Sequence, residues 1–263
     1  MTSKHFAVVG AGIVGICCGL NLLNRGHKVT FIDPRGFSEG CSKGNAGHFA
    51  TEQVFPLADK SLLWQLPKMM LDPLGPVSFS PSYFPKAFPW FLKFMANMSS
   101  SAISKNTRAL QALNQNAIEE YKPLVASANA EHLFTLKGSL LAYETTDRSV
   151  VEKDYIKYKE AGIAVEIIEK QQIAELEPQL SDAINYALYF TEVGHTADPL
   201  ELGQALANHA KELGAKIIEE EVTQLHTETK VEVETTKGTY AFDSILVATG
   251  AWSKPLLKSL GYK

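Results

Sequence analysis

Phe6-Ala7-Val8-Val9-Gly10-Ala11-Gly12-Ile13-Val14-Gly15-Ile16, followed by Val29-Thr30-Phe31-Ile32-Asp33, carries the fold. Phe6–Val9 is a short, β-rich apolar run. The glycine cluster that follows opens a helical pattern, with apolar side chains at Ile13, Ile16, Cys17, Leu20 and Leu23 and an end near Gly26. Val29–Ile32 is a second short strand. Strand, glycine turn, helix and strand fit within about 30 residues, the size of one βαβ unit.

The spacing Gly10-x-Gly12-x-x-Gly15 has a chemical reason. Gly10 permits the tight turn, Gly12 lets the backbone approach a pyrophosphate, and Gly15 lets the helix pack closely. Phosphates placed at Ala11–Val14 would meet free N–H groups and the positive end of the helix dipole. Alone the pattern is weak. Here Asp33 ends the second strand about 20 residues beyond the glycines, where a carboxylate accepts bonds from ribose hydroxyls. A dinucleotide site follows, with Pro34 and Arg35 at its edge. The motif leaves FAD and NAD undecided. Arg35 is open to two readings, a partner for a 2′-phosphate or a solvated loop cation, and the second is preferred.

Outward from this unit, the 263 residues are 45% hydrophobic, enough for a large core. The net charge of −4 and scattered lysines give no basic stripe, which argues against nucleic-acid binding. Cys17, Cys18 and Cys41 form no disulfide framework, so a reducing compartment and a cytoplasmic location are expected. No metal-ligand spacing is present and no metal is expected. Lys4 and His5 before an apolar run resemble a signal peptide. The run is broken by Gly10, Gly12, Gly15 and Gly19, and no small-x-small cleavage site follows in Asn21–His27, so the dinucleotide reading displaces that one. No uninterrupted apolar run reaches membrane-spanning length.

Pro34–Thr51 reads as a long functional loop rich in Gly, Ser and Asn. Pro56–Met98, dense in Pro, Trp, Phe, Leu and Met, reads as irregular turns and short helices. Asn106–Ser127 is an expected helix, Leu133–Tyr143 a strand pair pivoting at Gly138, Asp147–Ala161 a helix and Val165–Ile168 a strand. A helical turn is expected at Ile173–Leu176 and a strand at Asn185–Phe190. A helix then opens with Asp198 as N-cap and Pro199 in its first turn, and Gly214 closes it. Lys216–Ile218, Val222–Thr227, Lys230–Thr235 and Thr239–Phe242 read as short antiparallel strands with a turn at Lys237-Gly238. Ser244–Ala248 is apolar throughout, as in a buried parallel sheet.

Ser42-Lys43-Gly44-Asn45-Ala46-Gly47-His48 and Ala248-Thr249-Gly250-Ala251-Trp252-Ser253 follow strands. With Leu71-Asp72-Pro73-Leu74-Gly75-Pro76 and Pro89-Trp90, they make the whole chain resemble the FAD-dependent amino-acid oxidoreductases, above all the bacterial D-amino-acid dehydrogenases. The resemblance implies FAD as cofactor. It also implies an α/β fold, with a Rossmann-like FAD-binding domain built on a parallel sheet and an interleaved, incomplete α+β substrate domain. The expected division is 1–85 and 194–263 for the cofactor and 86–193 for the substrate. By motif match, Ser42, Gly44, Asn45, Ala46 and Gly47 pass beside the pyrophosphate and flavin, the Val222 strand holds the adenine, and Ala248, Thr249 and Gly250 make a second turn near the phosphates.

His48 is the candidate catalytic residue. One reading puts it near the flavin, shaping the substrate pocket, and the other gives it a hydrogen bond within its own loop. A covalent flavin–histidine bond has no matching motif here. His195 reads as structural and Cys41 as a passive loop thiol. For the Trp64–Met98 stretch a cover packed over the active site is preferred, and a peripheral contact with the inner membrane is the alternative.

The chemistry implied is oxidative deamination of D-amino acids. Hydride transfer to flavin N5 is followed by hydrolysis of the imino acid to a 2-oxo acid and ammonia, with electrons passed to a quinone or another respiratory acceptor. A related oxidase of glycine, sarcosine or proline-like amines is the first alternative, and a non-catalytic dinucleotide module the second. Members of the resembled family continue well beyond Lys263, and that portion supplies the arginine expected to pair with the substrate carboxylate. Arg25, Arg35, Arg108 and Arg148 sit in no recognisable carboxylate motif. Unpaired sheet edges and exposed apolar surface are therefore expected.

Overall fold

The structure, a computed structural model, describes residues 2–58, 66, 68–70, 72, 80–227 and 231–262. Apart from Asp72, the Leu71–Pro76 segment lies outside the described residues, as does Trp64. The first six strands are β1 (His5–Val9), β2 (Lys28–Ile32), β3 (His48–Phe49), β4 (Ser139–Tyr143), β5 (Val165–Glu169) and β6 (Tyr186–Phe190). The others are β7 (Gly194–His195), β8 (Lys216–Ile218), β9 (Val222–His226), β10 (Val231–Thr235), β11 (Thr239–Phe242) and β12 (Ser244–Val247). The helices are α1 (Ile13–Asn24), α2 (Phe84–Ala96), α3 (Ser100–Asn114) and α4 (Ala117–Ser127), then α5 (Arg148–Glu160), α6 (Lys170–Leu176), α7 (Pro199–Glu212) and α8 (Ser253–Leu257). They fall into two compact units. One comprises Met1–Phe49, Glu119–Gly138 and Gly194–Lys263, the other Ala50–Ile118 and Ser139–Val193.

The first unit is a layered α/β structure around a parallel sheet in the order β12-β1-β2-β8. Successive residues of a strand point to opposite faces, and β1 is apolar because both of its faces are covered. Val8 joins Ile16, Leu20, Phe31 and Leu206 beneath α1 and α7. Ala7 and Val9 join Ile32, Leu225 and Val233 beneath the antiparallel ribbon β11-β10-β9. Gly19 is the point of closest approach of α1, because a Cβ there would run into the Phe31 ring. At Gly15 a Cβ would run into the carbonyl oxygen of Gly10 and lie 3.4 Å from Val8 Cγ1 of β1, so this glycine lets α1 lie close to the strand that precedes it. Asp198 caps α7 by accepting the Glu201 N–H at 2.9 Å, as the sequence predicts.

Three local expectations are corrected. Lys216–Ile218 pairs parallel with β2 (Thr30↔Lys216, Ile32↔Ile218) and not antiparallel. It follows the long helix α7, so it enters the sheet as the end of a crossover, a relation that strand length does not reveal. Leu133–Tyr143 is no hairpin: Thr135 bridges to His195, and only Ser139–Tyr143 is a strand. Asn106–Ser127 is two helices, α3 and α4, parted at Gln115 and Asn116. Among the described residues, β12 and β8 are the edges of the parallel sheet.

The second unit carries an antiparallel sheet in the order β4-β6-β5. Leu188 and Phe190 of β6 pack with Val151 of α5 on one face, while Ala187 packs with Ile168 and Ile173 on the other. Asp147 caps α5 by accepting the Ser149 N–H at 3.0 Å. Pro56–Met98 holds more order than its composition suggests, since α2 runs through Pro85 and Pro89.

Candidate dinucleotide cleft

The cleft lies where the C-terminal ends of β1, β2 and β12 meet. Backbone hydrogen bonds hold these ends together: Gly10 N–H to Ile32 O at 2.9 Å, and Ala248 N–H to Val9 O at 2.7 Å. Gly10 takes φ +97°, and a side chain there would collide with the Ala248 carbonyl group, so the first and second turns touch. The resulting cavity measures about 880 Å³.

Its floor is Gly10, Gly12, Ile13 and Val14 at the N-terminus of α1. The helix cap, Gly12, has no capping side chain, and the first turn carries no acid, so the positive end of the helix faces the cavity. Ser42 supplies what the cap lacks, its Oγ accepting the Ile13 N–H at 2.9 Å from far along the chain. A Cβ on Gly12 would press on that hydroxyl at 3.0 Å.

One wall is Asp33, Pro34 and Arg35. The Asp33 carboxylate accepts the Ala11 N–H and the Arg35 N–H, each at 3.0 Å, which fixes it at the end of β2. The Arg35 guanidinium lies over the Trp252 ring, 5.9 Å from its centroid, a cation–π geometry. Val222, Ala248, Thr249 and Gly250 line the opposite side. Ala11 and Gly15 are buried behind the turn and do not line the cavity.

Gly44, Asn45, Ala46, Gly47 and His48 do not line it either. Their loop is held by its own bonds. Asn45 accepts the Gly47 N–H at 2.7 Å, and Gly47, at φ +69°, lies so close to the Thr196 carbonyl that no side chain would fit. His48 sits opposite His195 in the β3–β7 pair, and both are exposed.

Several lining residues went unassigned in the sequence: Cys41, Glu221 and Trp252 among them. The Trp252 side chain follows the second turn directly, and that adjacency was the available signal. Glu221 precedes the β9 strand and had none.

These residues suit a dinucleotide pyrophosphate: a helix N-terminus without an acid, a turn that faces the cavity with glycines only, and a fixed carboxylate one strand away. The chain belongs to the FAD dependent oxidoreductase family, which matches residues 5–263. FAD is thus the cofactor on which its family depends. It is 32% identical over 263 residues to a D-amino-acid oxidase of Bradyrhizobium diazoefficiens, covering 98% of this chain and 62% of that protein. It is 26% identical over 251 residues to a D-amino acid dehydrogenase of Helicobacter pylori, covering 94% of this chain and 60% of that one. The glycine oxidase of Geobacillus kaustophilus superposes with a TM-score of 0.66 at 21% identity, over 100% of this chain and 60% of that structure, a likeness of fold. The chain thus spans about 60% of the length of such relatives.

Proposed function

We propose that this chain forms the FAD-binding part of an amino-acid oxidoreductase that deaminates D-amino acids to 2-oxo acids and ammonia. The observation that carries the reading is the cleft, with the α1 N-terminus, the Asp33 carboxylate and the Ala248–Gly250 turn around one cavity. The relatives named D-amino-acid oxidase and D-amino acid dehydrogenase support the substrate class. In this reading residues 1–85 and 194–263 serve the cofactor and residues 86–193 the substrate.

The N–H groups at Gly12 and Val14 would face the pyrophosphate. Asp33 would accept the ribose hydroxyls, and the backbone at Val222 would hold the adenine. Ser42 would orient the first turn of α1 through Ile13. The Gly44–Gly47 loop would bring backbone towards the flavin, and His48, on the strand that leaves this loop, would shape the substrate side. When bound, FAD supplies the two-electron acceptor for a Cα–N bond, with a quinone or another respiratory acceptor downstream.

The test is an anaerobic visible spectrum of the FAD-loaded chain before and after D-amino acids are added. Bleaching of the flavin bands supports the reading. Bleaching by L-amino acids, glycine or sarcosine only overturns the substrate class. Bound flavin that no amine reduces makes the chain a binding module whose chemistry needs further sequence.

A further inference from the structure

We propose that His48 and His195 together bind one divalent transition-metal ion, of the zinc, nickel or copper class, on the exposed face of the β3–β7 ladder. The two residues are directly opposed, His48 on β3 and His195 on β7. Hydrogen bonding fixes which kind of opposed pair they form. The His195 N–H donates to Thr135 O at 2.8 Å and its carbonyl accepts the Thr135 N–H at 2.9 Å, so both main-chain groups of His195 point away from β3. The bond that ties the ladder here lies one residue away, from Thr196 N–H to Gly47 O at 2.8 Å. His48 and His195 are therefore a non-hydrogen-bonded pair, the kind whose Cα atoms lie about 4.5 Å apart with side chains on one face.

The same ladder decides which face that is and holds it still. Phe49 points the opposite way from His48, and its ring packs against Phe134 and Tyr121, with centroids 4.8 and 5.6 Å away. That anchorage in the core turns both imidazoles outward, and both histidines are exposed. Glycines lock the backbone on either side. A Cβ on Gly47 would strike the Thr196 carbonyl oxygen, and one on Gly194 would strike that of Thr135. Two imidazoles held in this way form a chelate. Bonds of about 2.0–2.1 Å to one ion set their nitrogens about 3.3 Å apart, a span that side chains starting about 4.5–5.5 Å apart close without backbone movement. Imidazole suits zinc, copper and nickel, whereas magnesium and calcium want oxygen. Among the described residues no group of three or more His, Cys, Asp or Glu could hold a metal, so water completes the shell and the ion is exchangeable. The two ligands come from strands far apart in the sequence, which is why spacing along the chain gives no sign of them.

The proposal is independent of the flavin reading, because metal binding is read without substrate or turnover. The full chain, without an affinity tag, is titrated with Ni²⁺ by isothermal calorimetry, and its Tm is followed with and without the ion. One Ni²⁺ per chain is expected, with a higher Tm in its presence, because the ion ties β3 to β7 only in the folded chain. Acid should release the ion, since a protonated imidazole has no lone pair for a metal. His48→Ala and His195→Ala are each expected to weaken binding at least about tenfold, since loss of a ligand costs no less than loss of a partner that merely orients one. The double variant should lose little more than either single one, the mark of one shared ion. Circular dichroism of the metal-free variants confirms that they remain folded, and His48→Gln and His195→Gln repeat the test with side chains that stay polar. Binding that survives the double variant overturns the proposal and assigns the ion to other donors. So does binding that only one of the two changes weakens, or two ions of which each change removes one. No saturable binding of Ni²⁺ overturns it equally.

Discussion

Gly15→Ala probes the turn on which the cleft depends. The new methyl group would fall inside the contact distance of the Gly10 carbonyl oxygen, with Val8 Cγ1 behind it at 3.4 Å. A carbonyl in the backbone cannot rotate away as a flexible side chain can, so the cost belongs at the upper end of overpacking, about 3 kcal/mol. Replacing glycine by alanine inside a helix returns about 1 kcal/mol of propensity. The net loss is about 2 kcal/mol, which lowers Tm by about 4–8 °C in a chain of this size. Gly44→Ala is the control, since nothing lies within 4 Å of its added Cβ, and it should stay within about 0.5 kcal/mol. Differential scanning calorimetry of the three proteins reads the difference, and a flavin fluorescence titration should show weaker FAD binding in Gly15→Ala. If Gly15→Ala melts with the parent protein and binds FAD equally well, the close approach between α1 and its own turn is wrong.

Ser42→Ala removes the acceptor of the Ile13 N–H, and urea unfolding of the flavin-free chain should show a loss of about 1 kcal/mol, as for a lost helix cap. Asp33→Ala leaves the Ala11 and Arg35 N–H groups without their carboxylate and should weaken FAD binding at least about tenfold, or 1.4 kcal/mol, by titration. Burial pushes the Cys17 thiol up from its ordinary value of 9.0 to about 12, with Cys18 adding to the effect. Its stabilising contribution is complete below pH 9.0 and falls as pH rises towards about 12, because only the unfolded chain ionises there. Cys17→Ala should flatten that alkaline limb of the stability curve. In the folded chain the exposed Cys41 should react with a thiol reagent before Cys17 does.

Most of the first unit was legible because its signals are local. The run Phe6–Val9, the three glycines and Asp33 sit within one βαβ unit, and strand, turn and helix follow from their own neighbours. The α7 cap was legible for the same reason, since Asp198 and Pro199 act on the helix they begin. What escaped depends on distant partners. Thr135 bridges to His195, and Ser42 reaches Ile13, across separations that carry no pattern in the sequence. The direction of β8 is decided by the crossover through α7 and not by its own residues. Helix α2 was obscured by Pro85 and Pro89. Pro85 occupies the first turn, where its missing N–H costs nothing, and the helix continues through Pro89. In the cleft, the glycines and Asp33 announced themselves, while Trp252 joined only through its place after the second turn. The Gly44–His48 loop resembles a cofactor loop in sequence, yet its bonds run to Thr196 and Asn45, and it lies apart from the cavity lining.

Binding of FAD in the cavity between β1, β2 and β12 is the property on which every proposed role of these residues depends. The most direct test is an equilibrium titration of the purified chain with FAD, repeated in the presence of excess NADPH. Saturable quenching of flavin fluorescence at one FAD per chain, undisturbed by NADPH and weakened by Asp33→Ala, is the predicted result. No saturable binding, or displacement of FAD by NADPH with Arg35 required for it, would contradict the account.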